Sequence, residues 1–422
     1  MVRPARLSGS IRVPGDKSIA HRALLLAAIA RGESRIRGLP QGEDVAATLG
    51  VIQGLGVAVM DGGSEKIVEG RGFAGLLQPG APLDCGNSGT TIRLAAGLAA
   101  GRPFETVLTA GEQLSRRPMD RILAPLARMG ARVESRDGKP PLRIHGGKLR
   151  GIEYELPVAS AQVKSCLLLA GLAAEGTTSV TEPSPTRDHT ERLLAAMGAS
   201  IETLARTIRV RAPGAALSGL DMDVPGDFSS AAFFLAAALV AGEGEIRALG
   251  VGTNSTRTGF LKILARMGAT VEVARPGTSG GEPVADLVAR PAALVGAEIS
   301  GELVPLAIDE LPLVAVLGAF ARGRTILRDA AELRVKESDR IEGVVAGLAA
   351  MGARIEERPD GFEVEGPCEL RGTTVDAGGD HRIAMSLAIA ALAARGETVI
   401  RGADSVAKSY PTFFADLERL RA

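Results

Sequence analysis

Lys17, Ser18 and Arg22 come directly after a Pro14-Gly15-Asp16 turn and directly before an apolar Ala/Leu run, so they fall in the first turns of a helix. Unpaired backbone N–H groups and the positive end of the helix dipole already favour an anion there. Cations normally avoid that end. Two of them placed there point to a ligand outside the helix, a phosphate or a carboxylate, although a solvated helix start accounts equally well for this stretch taken alone. A nucleotide P-loop does not fit, because Asp16 separates Gly15 from Lys17 and the glycine spacing is wrong. Lysine is scarce, eight of the 49 basic residues, yet Lys17, Lys336 and Lys408 all lie in motifs of this kind.

Those motifs recur along the chain. G-N-S-G-T-T-I-R places Gly89 where backbone can approach a ligand closely, with Arg93 one turn in. L-S-R-R-P-M-D-R supplies Arg116 and Arg117, S-A-Q-V-K-S offers Ser160 and Gln162, and S-P-T-R-D-H-T offers Ser184 and Arg187. I-D-E-L-P brings two adjacent acids, Asp309 and Glu310. R-V-K-E-S-D-R gathers Arg334, Lys336, Glu337, Asp339 and Arg340; by itself it reads as a salt-bridged surface helix start. G-D-H-R ends in Arg382, and Lys408 precedes Ser409-Tyr410-Pro411. The histidines make no H-x-x-x-H pair and no G-x-S-x-G elbow occurs, so neither a metal site nor a hydrolase triad is expected.

The elements that hold these motifs repeat. A motif rich in Gly, Ser, Asp and basic residues opens an Ala/Leu helix, a strand follows, and a second helix closes on glycine before another strand. The second closures, such as L-A-R-M-G-A-R-V and L-A-A-M-G-A-R-I, put Gly56, Gly130, Gly198, Gly268 and Gly352 at spacings of 68 to 84 residues. Repeats on that scale fix the fold. The pattern predicts an α+β protein of six βαβαββ units, three to a domain, with the more apolar first helices buried and the second helices facing water. I-R-V-P-G-D and M-D-V-P-G-D read as strands running into crossovers. One domain is therefore expected at 16–225 and the other at 1–15 plus 226–422, with the strand near Leu7–Val13 belonging to the C-terminal units.

Composition bounds the partners. The 422 residues carry zero net charge, 45% hydrophobic residues and only 3% aromatics without Trp, which argues against nucleic-acid and acidic-membrane surfaces. The longest apolar run, Ala231 to Ala241, is too short to span a bilayer. The opening M-V-R-P-A-R-L lacks the apolar core of an export signal, and three scattered cysteines form no disulfide framework, so a cytoplasmic protein is expected.

Taken in order, K-S-x-x-x-R, G-N-S-G-T, R-P-M, I-D-E, R-V-K-E-S-D-R and G-D-H-R resemble the 5-enolpyruvylshikimate-3-phosphate synthase family from about residue 5 to the C-terminus. The resemblance implies two domains of six such units around an interdomain cleft. It implies transfer of the enolpyruvyl group of phosphoenolpyruvate to the 5-hydroxyl of shikimate 3-phosphate, with release of phosphate, without cofactor or metal, and by a monomer. By matching motifs, Lys17, Ser18, Arg22, Ser160, Ala161, Gln162, Arg187, Asp309 and Lys336 would hold shikimate 3-phosphate. Lys17, Gly89, Arg117, Gln162, Arg340, Arg382 and Lys408 would hold phosphoenolpyruvate. Asp309 would take the hydroxyl proton, and Glu337 or a lysine such as Lys17 would protonate the methylene carbon. Ala161 stands where many members have a second serine, and Arg187 where others carry tyrosine. Two other readings are a sister enzyme using UDP-N-acetylglucosamine and a non-catalytic phosphosugar-binding protein. The first generally places a reactive cysteine in the region that is Gly111–Met119 here, which has none. Acids set beside the cations argue against the second.

Overall fold

The computed structural model describes residues 1–421, which divide into two compact units. One unit comprises Gly15–Pro225 and Thr278–Glu282; the other comprises Met1–Pro14, Gly226–Gly277 and Pro283–Ala422. The expected division at 16–225 differs at two places: Gly15, and the hairpin tip 278–282, which groups with the first unit. The reason is packing at the tip. Ser279 Oγ donates to the Asp223 carbonyl at 2.7 Å, Glu282 pairs with buried His189, and a Cβ on Gly280 would meet Met222 Sδ at 2.8 Å.

In the 15–225 unit, three four-stranded sheets share one plan: a parallel pair extended by an antiparallel hairpin. Leu83–Asp84 pairs parallel with Glu105–Thr109, which continues antiparallel into Lys139–His145 and Arg132–Arg136. The parallel pair needs a crossover, and the helix Gly89–Ala100 supplies it. The other unit holds two such sheets and ends in an incomplete sixth repeat. Its parallel pair, Thr374–Asp376 with Val399–Arg401, is followed by the helix Phe413–Arg419, and among the described residues no hairpin closes it.

The two V-P-G-D turns exchange first strands. Leu7–Ile11, which precedes the helix Lys17–Ile29, pairs with the 242–252 strand of the other unit's first repeat. Asp221–Asp223, which precedes the helix Phe228–Ala241, pairs with Arg31–Arg37. Glycine is required at the first turn, where an added Cβ would lie 2.1 Å from the Gly38 carbonyl oxygen.

The first helices are buried nearly all round; every residue from Ile19 to Ile29 is inside, as is all of Leu311–Ala319. The second helices bury one face: in Asp120–Arg128 only Ile122, Pro125 and Leu126 are buried. These helices stop in one way. Gly130, at φ +99, donates to Ala127, and Ala131 donates to Leu126; Gly56, Gly198, Gly268 and Gly352 repeat the geometry. This is the Schellman closure, and it needs a left-handed residue. Each unit has its own apolar core.

Candidate active site

The 15–225 unit brings three helix N-termini together through polar side chains. Asp16 caps the helix Lys17–Ile29 by accepting from Ile19 N–H, Ser88 caps Gly89–Ala100 from Thr91, and Ser160 caps Ala161–Gly171 from Val163. Such caps satisfy one orphan donor and leave others facing a ligand. Lys17 is exposed at its helix start and paired with Asp44 at 2.7 Å. Ser18, Ala161 and Gln162 are half-buried. Gln162 ties two termini together: its Oε1 accepts from Arg93 at 2.7 Å and its amide donates to Thr90 at 3.0 Å. Arg93 also donates to the Gly89 carbonyl, so its guanidinium lies against the glycine turn. Arg117 is exposed just before Pro118, and its charge, after burial, helps push Arg93 below the ordinary guanidinium range.

Arg22 is placed more deeply than a first-turn cation suggests. It is buried and donates to Thr190 Oγ1, the Ser18 carbonyl and Ser165 Oγ, each at 2.9 Å. Burial, followed by the charge of Arg187, lowers it to about 10. Arg187 is half-buried in the 183–188 loop. His21, beside Arg22, is buried with Nδ1 on Thr48 at 2.7 Å; burial, with Lys17, drives it down to about 3, so it is neutral.

The other unit builds its set differently. Arg340, buried and at the start of the helix Arg340–Ala350, reaches three carboxylates: Asp380 at 2.9 Å, Glu337 at 2.5 Å and Asp309 at 3.5 Å. Arg382 approaches Asp309 Oδ1 at 3.6 Å and donates to its carbonyl at 3.1 Å. Beside Asp309, Glu310 is buried and accepts from Ser229; burial and the Asp309 charge push its carboxyl up. For Glu337 burial works upward, but Arg340 and a backbone N–H outweigh it and hold the carboxyl below its ordinary value. Burial of His381, with Arg382 next to it, brings that imidazole down to about 4. Lys408 Nζ donates to the Gly379 carbonyl at 3.2 Å, which puts it at the helix start that carries Arg382. Lys336, next to Glu337, pairs with Glu332.

Ser165, Thr190 and Asp380 hold these cations and Thr90 holds Gln162, none of them a residue with an expected site role. All four lie within the motifs above, but only Asp380 has a locally readable role, as the cap of the helix His381–Leu392. Their partners lie far apart in the chain, so spacing carried no signal for the rest.

The arrangement gives each unit helix termini and guanidiniums suited to phosphate and carboxylate, and gives one unit carboxylates fit to move protons. Comparison with known proteins agrees. The family model for EPSP synthase (3-phosphoshikimate 1-carboxyvinyltransferase) matches residues 2–417. A 3-phosphoshikimate 1-carboxyvinyltransferase of Geobacter sulfurreducens is 52% identical over 420 residues, covering 99% of this chain and 98% of that protein. One from Acidithiobacillus ferrooxidans is 51% identical over 416 residues, covering 98% and 95%. A solved EPSP synthase of Acinetobacter baumannii superposes with a TM-score of 0.94 at 43% identity, covering 100% of this chain and 97% of that one. The enolpyruvyl transferase NikO of Streptomyces tendae, at 23% identity and a TM-score of 0.78 over 100% and 96%, shares the fold. With buried guanidiniums at helix starts and a family match over nearly its whole length, the chain belongs to the EPSP synthase family.

Proposed function

We propose that the chain transfers the enolpyruvyl group of phosphoenolpyruvate to the 5-hydroxyl of shikimate 3-phosphate, releasing phosphate on the way to chorismate and the aromatic amino acids. The observation that carries this reading is the half-buried Asp309 carboxylate set between Arg340 and Arg382. Anion binding alone gains nothing from an acid there, whereas a general base for a hydroxyl is needed by the reaction.

The two substrates bring two phosphates and two carboxylates, whose repulsion is roughly several kcal/mol at an effective dielectric near 20. Ser18, Arg22, Ser160, Ala161, Gln162, Arg187 and Lys336 hold shikimate 3-phosphate. Gly89, Arg117, Gln162, Arg340, Arg382 and Lys408 hold phosphoenolpyruvate, with Lys17 serving both. One reaction draws on both sets. The 5-hydroxyl oxygen bonds to the substituted carbon of phosphoenolpyruvate, its proton passes to Asp309, and the methylene carbon gains a proton. The adduct then loses a methyl proton and breaks its carbon–oxygen bond to phosphate, which regenerates the enol ether. Arg340 keeps Glu337 ionised, so Glu337 suits removal of the methyl proton, and the Lys17 ammonium suits its delivery.

The acceptor is shikimate 3-phosphate rather than a UDP-sugar. Cys85 and Cys166 are buried with thiols pushed up to about 12, and Gly111–Met119 has no cysteine, so no reactive thiol lies where the sister enzymes keep one. Phosphate release from phosphoenolpyruvate, measured with shikimate 3-phosphate, with UDP-N-acetylglucosamine and with no acceptor, tests this. Release only with the first is expected; release with the nucleotide sugar would overturn it. We place the reaction in the cytoplasm and on a monomer, which sedimentation at 43.5 kDa would show. Among the described residues no helix is long and apolar enough to cross a membrane.

A further inference from the structure

Lys164 is a lysine of a quoted motif for which the reaction has no use. It sits in the second turn of the helix Ala161–Gly171, whose first residues face the acceptor in the reading above, yet it points inward and is 1% exposed. Its ammonium joins two carboxylates: Glu182 at 3.0 Å and Glu191 at 2.7 Å, both buried. A buried lysine with two buried acids is costly to assemble.

The two acids stand at the two ends of one short segment. Glu182 ends the strand region 177–181 and accepts from both the hydroxyl and the backbone N–H of Thr186. Glu191 lies in the first turn of the helix His189–Ala196. Between them runs the irregular loop 183–188, which carries Arg187. On its other side the same helix start is gripped by the acceptor machinery, because Thr190 takes Arg22 Nε at 2.9 Å and bonds Ser165 at 2.7 Å. Lys164, Arg22 and Ser165 therefore hold one loop and helix start from two directions.

We propose that Lys164 is a positioning residue for the acceptor's anionic group: by joining Glu182 to Glu191 it closes the base of the 183–188 loop and fixes Arg187 beside Arg22. The proposal rests on the reading that Arg22 and Arg187 bind shikimate 3-phosphate. Without the ammonium, Glu182 and Glu191 lose the group that joins them across the base of the loop, and Arg187 loses its fixed position while Ser160 and Gln162 keep theirs. Misplacement of about 1 Å in such a contact is enough for large losses.

The test is a double-mutant cycle of Lys164→Met with Arg187→Ala, read as the dissociation constant of shikimate 3-phosphate by calorimetry and as both Michaelis constants. Lys164→Met should weaken shikimate 3-phosphate about tenfold and leave the Michaelis constant for phosphoenolpyruvate within about twofold. In the Arg187→Ala background it should add little, and Lys164→Arg should recover most of the loss. An equal factor in both backgrounds, or a lower melting temperature with unchanged binding, would overturn the proposal. If Lys164→Met does not fold, Thr186→Val decides, since it removes the hydroxyl part of the loop's tie to Glu182 and leaves Lys164 and both acids in place. A selective rise for shikimate 3-phosphate is expected from it, and an unchanged constant sinks the positioning role. Wild-type turnover, measured first, reports separately on the reaction itself.

Discussion

The two units hold their cations by opposite means. In the 15–225 unit Arg22 and Arg93 are held by neutral partners: Thr190, Ser165, Gln162 and two carbonyls. Burial lowers both guanidiniums, in Arg22 outweighing the nearby Glu191 charge. In the other unit Arg340 and Arg382 lie among Asp309, Glu337 and Asp380, and the acids raise Arg382 against its burial. The first set has no carboxylate bonded to its guanidiniums, whereas the second is closer to charge balance. The two units thus surround their arginines differently, one with neutral groups and the other with carboxylates, and the contrast comes from what surrounds each arginine rather than from the arginine itself.

The largest effect should come from the carboxylate-rich set. Asp309→Asn should keep substrate binding by calorimetry and lose about 10²–10⁴-fold in kcat. A rate near wild type would remove Asp309 from the mechanism.

Arg340→Met should act mainly on stability, because it strands Asp380 and Glu337 without their shared counter-ion. Breaking a buried pair of this kind costs about 3–5 kcal/mol in denaturant unfolding. By the same contrast, Arg93→Met, which strands only neutral groups, should cost much less stability and chiefly weaken phosphoenolpyruvate. Equal stability losses would erase the difference between the units.

Gly89→Ala sharpens the picture of the neutral-partner set. A Cβ there would lie 2.7 Å from Arg93 Nη1, so the guanidinium that bonds Gln162 must shift. Crowding of this kind costs about 1–3 kcal/mol and should be read as a higher Michaelis constant for phosphoenolpyruvate. Adding Arg93→Ala should abolish the further cost of the methyl group; a cost that persists would place the clash elsewhere.

A pH dependence is shared by both units. His21 and His381 sit at about 3 and about 4 when folded and near 6.5 when unfolded, so between those values the unfolded chain binds more protons. Stability should therefore fall as pH drops below 6.5, by at most about 1.4 kcal/mol per pH unit for each histidine. His381→Asn should flatten part of that slope in chemical denaturation between pH 6.5 and 4. An unchanged slope would mean that His381 is not buried neutral.

The sequence alone determined the repeat, because Gly56, Gly130, Gly198, Gly268 and Gly352 each meet a backbone requirement that is local. It also determined the helix starts, since Asp16, Ser88 and Ser160 cap within three residues. The motif residues of both cation sets were legible for the same reason: each belongs to a contiguous string. Only the tertiary structure decided that Arg22 is buried, that Arg340 reaches acids from three separate segments, and that the tip 278–282 belongs with residues 15–225. It alone joined Lys164 to Glu182 and Glu191. Those pairings depend on where folded segments meet, and a side chain's charge, burial and partners are properties of that meeting rather than of its neighbours in the chain.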